Sequence, residues 1–254
     1  MENSRKDFLD FAVDLAREAG RITLGYFRKQ IEVETKQDAS PVTVADRETE
    51  TFIRSSIARR YPDHGILGEE HGAVESNSPY RWIIDPIDGT KSFIHGIPLY
   101  TVLIALLENG KPVVGVIHNP PLEETVAAAA GMGSTFNGEA CRVSSTSDLS
   151  AAKVQVTDPA DLMQKYPGFT GRLLDQAGFC RSWGDGYGYL LVATGRADLM
   201  IDPELAPWDA GPLGIVIREA GGVLTDFSGR SEPLCESAIA ANERLHGEIM
   251  GLLD

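Results

Sequence analysis

A β-hairpin between residues 100 and 120 is the sequence feature that most constrains the fold. Two runs rich in valine, isoleucine and leucine flank Asn109-Gly110 in YTVLIALLENGKPVVGVIHNP. Asn-Gly strongly favours a tight hairpin turn, because both turn positions need a positive φ. A second Asn-Gly pair follows in ETVAAAAGMGSTFNGEACRV. The middle of the chain is therefore predicted to form an antiparallel meander.

Helical patterns precede this meander, and strands alternate with helices after it. The spacing of apolar residues predicts helices over residues 5–29 and in TVADRETETFIRSSIARRYP, where Pro62 ends the second. From about residue 150, KVQVT, FCRSW, DLMID, GVLTD and SAIAA read as strands between helical segments. This order predicts an α+β fold with helices layered on two sheets. We expect one domain over residues 1–254, with sub-lobes of about 1–148 and 149–254.

Composition restricts the classes of partner. The chain has 254 residues and a formal net charge of -14, and its longest Lys/Arg cluster is a pair. A surface that reads nucleic acid or an anionic membrane needs a basic patch, so neither partner is expected. The three cysteines lack CxxC spacing, which favours reduced thiols. The N-terminal residues form no apolar signal-peptide core, and we expect a cytoplasmic protein.

The stretch WIIDPIDGTKSF concentrates charge at the end of an apolar strand. Pro86 removes a hydrogen-bond donor, so the strand is expected to end at Asp85 and the chain to turn there. Asp85, the Ile87 carbonyl and Asp88 would then converge as an all-oxygen cluster, which needs a cation to stay charged. Oxygen ligands without histidine or cysteine favour Mg²⁺. A helix starting at Gly89 and Thr90 would direct free amides at an anion.

Each acidic motif also has an ordinary structural interpretation when taken alone. A DPxD sequence is a common turn, in which the first aspartate caps a helix and the second is solvated. The pair Glu69-Glu70 reads as a solvated loop, and Asp209 reads as a first-turn acid of a helix. Asp46 lies in a highly charged helical segment and resembles plain surface.

Together, however, the motifs GEE, WIIDPIDGTKSF and PWDAGPLGIVIREAGG closely resemble the inositol monophosphatase family. The resemblance extends from Lys36 to about Gly229 and includes the glycine-rich turn GMGSTFNG. It implies a layered α-β-α-β-α sandwich, the sugar phosphatase fold shared with fructose-1,6-bisphosphatase. It also implies a lithium-sensitive phosphatase that uses two or three Mg²⁺ ions, acts on a small phosphate monoester and forms a homodimer.

The resemblance also implies roles for individual residues. The implied metal ligands are Glu69, Asp85, the Ile87 carbonyl, Asp88 and Asp209. Thr90 and Asp46 match a dyad that orients the attacking water together with Glu69, and Lys36 matches a lysine near the phosphate. The phosphate would also contact Asp88, Gly89 and Thr90. Direct attack by a metal-activated water needs no covalent nucleophile, because phosphoryl transfer depends mainly on positioning and charge neutralisation.

The segment RSWGDGYGYLLVATGRADLMIDPELAPWD resembles the histidinol-phosphate phosphatase branch of that family. Asp202, seven residues before Asp209, matches a position whose acid contacts the leaving alcohol. Histidinol phosphate carries an ammonium and an imidazole, which Asp185 and Asp202 would bind while Trp183 packs on the ring. Asp209 completes this predicted substrate contact. In the ordinary interpretation, Asp185 caps a helix and Trp183 belongs to the core.

One position departs from the pattern of the branch. Gly186 stands where WGDCYGY has cysteine, and a side chain there is expected to line the substrate pocket, so its loss would widen the site. The main prediction is hydrolysis of histidinol phosphate in histidine biosynthesis. The alternatives are a broad inositol or sugar phosphatase and a non-catalytic regulatory module of the same fold.

Overall fold

The computed structural model describes residues 2–36 and 40–253. Residues 37–39, which fall within the motif region beginning at Lys36, lie outside the described residues. The helices are α1 Glu2–Tyr26, α2 Val44–Arg60, α3 Thr90–Ile94, α4 Pro159–Lys165, α5 Pro167–Gln176, α6 Asp185–Ala193, α7 Pro207–Glu219 and α8 Glu243–Met250. The strands of the first half are β1 Val33–Thr35, β2 Pro41–Thr43, β3 Gly65–Gly68, β4 Gly72–Val74, β5 Tyr80–Asp88, β6 Thr101–Glu108, β7 Lys111–Asn119, β8 Glu124–Ala129, β9 Gly133–Phe136 and β10 Glu139–Cys141. The second half contributes β11 Lys153–Val156, β12 Phe179–Arg181, β13 Leu199–Asp202, β14 Val223–Thr225 and β15 Ala238–Ala241.

Two sheets organise the molecule. The larger has eight strands in the order β10-β9-β8-β7-β6-β5-β3-β4, and the smaller has five in the order β12-β11-β13-β15-β14. The hairpin β6–β7 turns at Asn109 and Gly110, whose φ values are 51° and 77°. The predicted meander and its turn chemistry are therefore confirmed.

Five layers follow from the alternation of side chains along the strands. In β6, Val102, Ile104 and Leu106 pack against α1 and α2, whereas Leu103 faces the opposite side, against α6 and α7. The five-stranded sheet covers the other side of α6 and α7, and α4, α5 and α8 cover its outer face. The architecture is the predicted α-β-α-β-α sandwich.

Strand β5 runs further than the sequence predicts. It was expected to end at Asp85, but it continues through Pro86 to Asp88. Asp85 pairs with Leu103 and Asp88 with Thr101, so β5 accommodates one extra residue against β6. Because Pro86 has no N–H to give to the ladder, the strand bulges at this point instead of ending. The bulge turns the two carboxylates toward one side of the sheet's end.

Within the described ranges 2–36 and 40–253, no helix is both long enough and apolar enough to cross a bilayer.

Candidate active site

Three aspartates from two elements form a compact acidic cluster. Asp85 and Asp88 come from the bulged end of β5, and Asp209 comes from the first turn of α7. One carboxylate oxygen of each lies within 4.8 Å of those of the other two. The Asp209 Oδ2 accepts the Ala206 N–H at 2.9 Å, which fixes Asp209 at the helix start. The Ile87 N–H donates to the Asp85 Oδ1 at 2.9 Å.

Burial and mutual repulsion favour the protonated form of these carboxylates. Burial, together with the charges of Glu69, Asp88 and Asp209, holds the pKa of Asp85 well above its usual range. Burial and neighbouring carboxylates raise the pKa of Asp88 and of Asp209 to about 7. Several buried carboxylates at one point need a cation or protons as partners. The donors are all oxygen, the ligand type that a hard metal ion prefers, so this cluster fits a metal.

Lys36 holds the acidic pair of the β3–β4 loop. Its Nζ lies 2.7 Å from the Glu69 Oε1 and 2.5 Å from the Glu70 Oε1. Burial raises the pKa of Glu69 to about 7, against the opposing effect of Lys36. The charge of Glu69 also contributes to the raised pKa of Asp85, which places Glu69 beside the cluster. The predicted neighbours Lys36 and Glu69 are thus brought together.

Asp46 is fully buried, contrary to its interpretation as plain surface. It lies in the first turn of α2, where its Oδ2 accepts the Thr43 N–H at 2.8 Å and the Thr43 hydroxyl at 2.6 Å. Its Oδ1 is buried without a hydrogen-bond partner. Burial raises the pKa of Asp46 to about 6. The sequence pattern therefore did not distinguish this capping aspartate from the charged residues around it on α2.

Thr90 makes a different contact from the predicted pair with Asp46. Its hydroxyl donates to the Ile87 carbonyl at 2.9 Å. Among hydrogen bonds of the described residues, none joins Thr90 directly to Asp46. Gly89, which has a φ of 81°, precedes the five-residue helix α3. The unpartnered Asp46 Oδ1 and the Thr90 hydroxyl are therefore not hydrogen-bonded to each other.

Gly186 does not widen a pocket, and that expectation is wrong. A Cβ at this position would lie 2.5 Å from the Thr101 Oγ1 and 2.6 Å from the Asp88 Oδ2. The Gly186 N–H instead donates to the Asp88 Oδ2 at 2.6 Å, and the Thr101 hydroxyl donates to the same oxygen at 2.6 Å. The absent side chain lets α6 approach Asp88, and both donors hold that carboxylate in one orientation.

Two further aspartates lie beside the cluster, and Thr157 connects the backbone of one to the carboxylate of the other. The Asp185 N–H donates to the Thr157 Oγ1 at 2.9 Å, and this hydroxyl donates to the Asp202 Oδ2 at 3.0 Å. Tyr189 reaches the same Asp202 oxygen at 3.4 Å. Burial raises the pKa of Asp185 to about 6 and holds the pKa of Asp202 well above its usual range. Both groups would be stabilised by a cationic ligand.

Asp185 and Trp183 differ in how closely they approach the cluster. The Asp185 Oδ2 lies 2.9 Å from the point where a Cβ on Gly89 would stand, so Asp185 packs directly against Gly89. Gly184, not Asp185, is the capping residue of α6, and Gly184 has no side chain to cap it. Trp183 is 43% exposed and contacts the Phe179 ring with a centroid separation of 6.4 Å. Trp183 is therefore not a core residue.

Three residues that support the site were not found from the sequence. Thr101 lies opposite Asp88 in the β5–β6 register, so a correct pairing of the two strands would have indicated it. Thr157 follows β11 and has no motif to mark it. Glu50 contacts the loop of Glu69 and Glu70, yet it reads as one of many charges on α2.

The five-layer fold and this acidic site define the class of the protein. The model of the inositol monophosphatase family matches residues 4–254. The chain belongs to this family, and it is a phosphoric monoester hydrolase. The chain is 42% identical to a histidinol-phosphatase of Chlorobaculum parvum over 93% of both chains. It is 38% identical to a histidinol-phosphatase of Mycobacterium tuberculosis over 98% of both.

A solved structure agrees with the family and the fold. The extragenic suppressor protein suhB of Bartonella henselae superimposes with a TM-score of 0.93 at 31% identity, covering 98% of both chains. The predicted family, branch and fold class are confirmed. The family is generally metal-dependent, in agreement with the carboxylate cluster.

Proposed function

We propose that this enzyme hydrolyses L-histidinol phosphate to L-histidinol and inorganic phosphate, with Mg²⁺ as its cofactor, in the cytoplasm. The observation that supports this substrate is the pair Asp185 and Asp202 beside the acidic cluster, where Thr157 connects the Asp185 N–H to the buried Asp202 carboxylate. Similarity to proteins named histidinol-phosphatase supports the same choice. In this proposal, residues of about 1–148 bind the metal and the phosphate, and residues of about 149–254 recognise the substrate and supply the last metal ligand, Asp209.

The proposed ligands of two or three Mg²⁺ ions are Glu69, Asp85, the Ile87 carbonyl, Asp88 and Asp209. When bound, Mg²⁺ supplies positive charge for the phosphate oxygens and lowers the pKa of water. The raised pKa values of Asp88 and Asp209 support a cation at this place, because neither carboxylate is stable as an isolated buried charge. The Lys36 ammonium adds charge that faces the phosphate from the side of Glu69.

The chain's own groups would orient water and phosphate. In the proposal, Glu69 accepts a proton from the attacking water, which Thr90 and Asp46 hold in place. The unpartnered Asp46 Oδ1 is an available acceptor for that water. The amides at Gly89 and Thr90 face the phosphate. The water oxygen forms the new bond to phosphorus while the bond to the substrate oxygen breaks, and that oxygen leaves as an alkoxide that takes a proton from water. No covalent nucleophile is needed.

The substrate's cationic part would lie between Asp185 and Asp202. Thr157 and Tyr189 both approach the Asp202 Oδ2, which leaves the other oxygen for an ammonium or imidazolium N–H. Trp183, which is partly exposed, offers a ring face to the imidazole. A neutral polyol would leave these two carboxylates without a compensating charge.

A substrate panel tests this proposal. Phosphate release should be fastest with histidinol phosphate, slower with inositol 1-phosphate and a sugar phosphate, and abolished for all three by EDTA. Much faster hydrolysis of inositol 1-phosphate would overturn the substrate and favour the alternative, a broad inositol or sugar phosphatase. Asp202→Ala separates these two functions, since it should impair histidinol phosphate selectively in the first and all substrates equally in the second.

Asp88→Asn tests the metal role. The amide keeps the shape of the side chain but removes the negative charge from the cluster. We expect a folded protein whose activity is lower by more than about 100-fold, because even groups that merely support metal ligands contribute 10–100-fold. Circular dichroism would establish folding, and calorimetry would establish the loss of Mg²⁺ binding. Wild-type activity in this variant would exclude Asp88 as a ligand.

The assembly and the partners complete the proposal. We propose a homodimer that acts on a small phosphate monoester and binds neither nucleic acid nor membrane. The formal charge of -14 supports the last two points. Sedimentation of the purified protein would measure the oligomeric state.

A further inference from the structure

Glu50 is a buried carboxylate that contacts the backbone of the β3–β4 loop. It lies on α2 and is 0% exposed. Its Oε2 accepts the Glu70 N–H at 2.6 Å, and its Oε1 accepts the His71 N–H at 3.1 Å. This loop of residues 69–71 joins Gly68 to Gly72, which pair with each other at the base of the hairpin. One side chain thus satisfies two successive amides of the loop that carries Glu69.

Arg54 forms a second link between α2 and the hairpin. Its Nε donates to the Glu50 Oε1 at 2.6 Å, and its Nη2 donates to the Gly72 carbonyl. Glu50 and Arg54 lie one turn apart on α2, so the helix fixes their relative position. The pair therefore connects the backbone of residues 70–72 to α2.

Gly68 lets the carboxylate reach the loop. A Cβ on Gly68 would lie 2.3 Å from the Glu50 Oε1 and 2.7 Å from its carboxyl carbon. Any side chain at position 68 would push the carboxylate away from the amides it accepts. Space at Gly68 and charge at Glu50 are therefore two independent requirements of the same contact.

The loop is held at its backbone by Glu50 and at its side chains by Lys36, whose ammonium pairs with Glu69 and Glu70. Glu50 also lies one turn after Asp46 on α2. The same helix consequently fixes the position of Asp46 and of the loop that bears Glu69.

We infer that Glu50 is a positioning residue, which holds the Glu69–His71 backbone so that the Glu69 carboxylate faces the metal. The inference rests on the proposed function, in which Glu69 is a metal ligand. Groups that orient metal ligands typically contribute 10–100-fold to metal affinity or activity. Glu50 touches neither the aspartate cluster nor the substrate groups directly, so its effect reaches the metal through the loop.

Glu50→Gln and Gly68→Ala test the inference in the full-length protein. The first removes the charge, and the second displaces the carboxylate without changing any charge. In both we expect Mg²⁺ affinity, measured by calorimetry, to fall about 10–100-fold. Amide hydrogen exchange at residues 69–71 of the metal-free protein should accelerate by at least tenfold. The KM for the phosphate ester at saturating Mg²⁺ should stay near that of the wild type.

Glu48→Gln is the matched control, because Glu48 is an exposed acid on the same helix. It should leave both Mg²⁺ affinity and loop exchange unchanged. If Glu50→Gln fails to fold, Gly68→Ala decides the question with the same two measurements.

The outcomes separate this inference from the proposed function. Wild-type Mg²⁺ affinity in both folded variants, alongside lost binding in Asp88→Asn, overturns the role of Glu50 and leaves the phosphatase proposal standing. Faster exchange of the loop without any change in affinity overturns the positioning role as well. A wild-type protein that binds no Mg²⁺ overturns both.

Discussion

Gly186 shows how a single missing side chain can shape a site. Its N–H and the Thr101 hydroxyl both donate to the Asp88 Oδ2, each at 2.6 Å. A methyl group at position 186 would collide with both partners, because its Cβ would stand within 2.6 Å of each oxygen. The residue thus sets the orientation of Asp88 through the backbone.

Gly186→Ala should disturb Asp88 without altering any charge. We expect Mg²⁺ affinity to fall by at least about tenfold, because the carboxylate must move or lose one of its two donors. Calorimetry would measure the affinity. Gly171→Ala is the control, since a Cβ on Gly171 meets nothing within 4 Å. Wild-type affinity in Gly186→Ala would show that the orientation of Asp88 does not depend on this contact.

At the scale of elements, the end of β11 connects the groups proposed to bind the substrate. Thr157 follows β11 and bonds both the first residue of α6, Asp185, and the last residue of β13, Asp202. The parallel pairing of β11 with β13 brings the two strand ends side by side. One hydroxyl therefore connects the backbone of Asp185 to the carboxylate of Asp202.

Thr157→Val keeps the shape of this side chain and removes the hydroxyl. We expect the KM for histidinol phosphate to rise about fivefold, which corresponds to the roughly 1 kcal/mol of one hydrogen bond. The kcat and the Mg²⁺ affinity should change little, because Thr157 does not contact the aspartate cluster. The Thr157→Ser variant keeps the hydroxyl, so its KM, measured by steady-state kinetics, should be close to that of the wild type. A larger loss in Mg²⁺ affinity than in KM would contradict a substrate role.

At the scale of the whole molecule, the buried carboxylates make stability depend on pH and metal. Burial raises the pKa values of Glu69, Asp88 and Asp209 to about 7. The folded, metal-free protein therefore binds more protons than the unfolded chain between about pH 4 and pH 7. Its free energy of unfolding must fall as the pH rises through this window. His118 has the opposite effect on the free energy of unfolding below about pH 6.5. Burial lowers its pKa to about 4, so the unfolded chain binds the extra proton there.

Thermal unfolding at about pH 6 and pH 8, with EDTA or with saturating Mg²⁺, tests this linkage. In EDTA we expect a loss of stability at the higher pH on the order of a few kcal/mol, since one pKa unit corresponds to about 1.4 kcal/mol. The stabilisation by Mg²⁺ should grow with pH, because its ligands must be deprotonated. The contribution of His118 cancels in that comparison. Equal stabilisation by Mg²⁺ at both pH values would contradict the prediction.

Local patterns in the sequence predicted much of the fold. Asn109-Gly110 specified the hairpin because few other residue pairs adopt two successive positive φ angles. The nearly continuous apolar run of β6 is buried on both faces, and helices cover both. Pro86 misled the prediction, because a proline can interrupt the ladder by a bulge as well as end it.

Local patterns also indicated the aspartate cluster, while the contacts around it needed the structure. The motif around Asp85 and Asp88 pointed to a cation through its charge density, together with the other acidic motifs. The burial of Asp46 was not visible, because its neighbours Arg47 and Glu48 face solvent whereas Asp46 turns inward to Thr43. The contact of Gly186 with Asp88 joins residues 98 positions apart.

The sequence by itself determined a dense acidic motif through residue types at short spacing, and it indicated the family and its five-layer fold through the resemblance of several motifs. The tertiary structure decided which atoms meet. It placed Asp209 with Asp85 and Asp88, set Glu50 beneath the loop of Glu69, and closed the space at Gly186. The physical reason is that hydrogen bonds and steric contacts depend on ångström-scale distances between distant segments, which only the packing of sheets and helices determines.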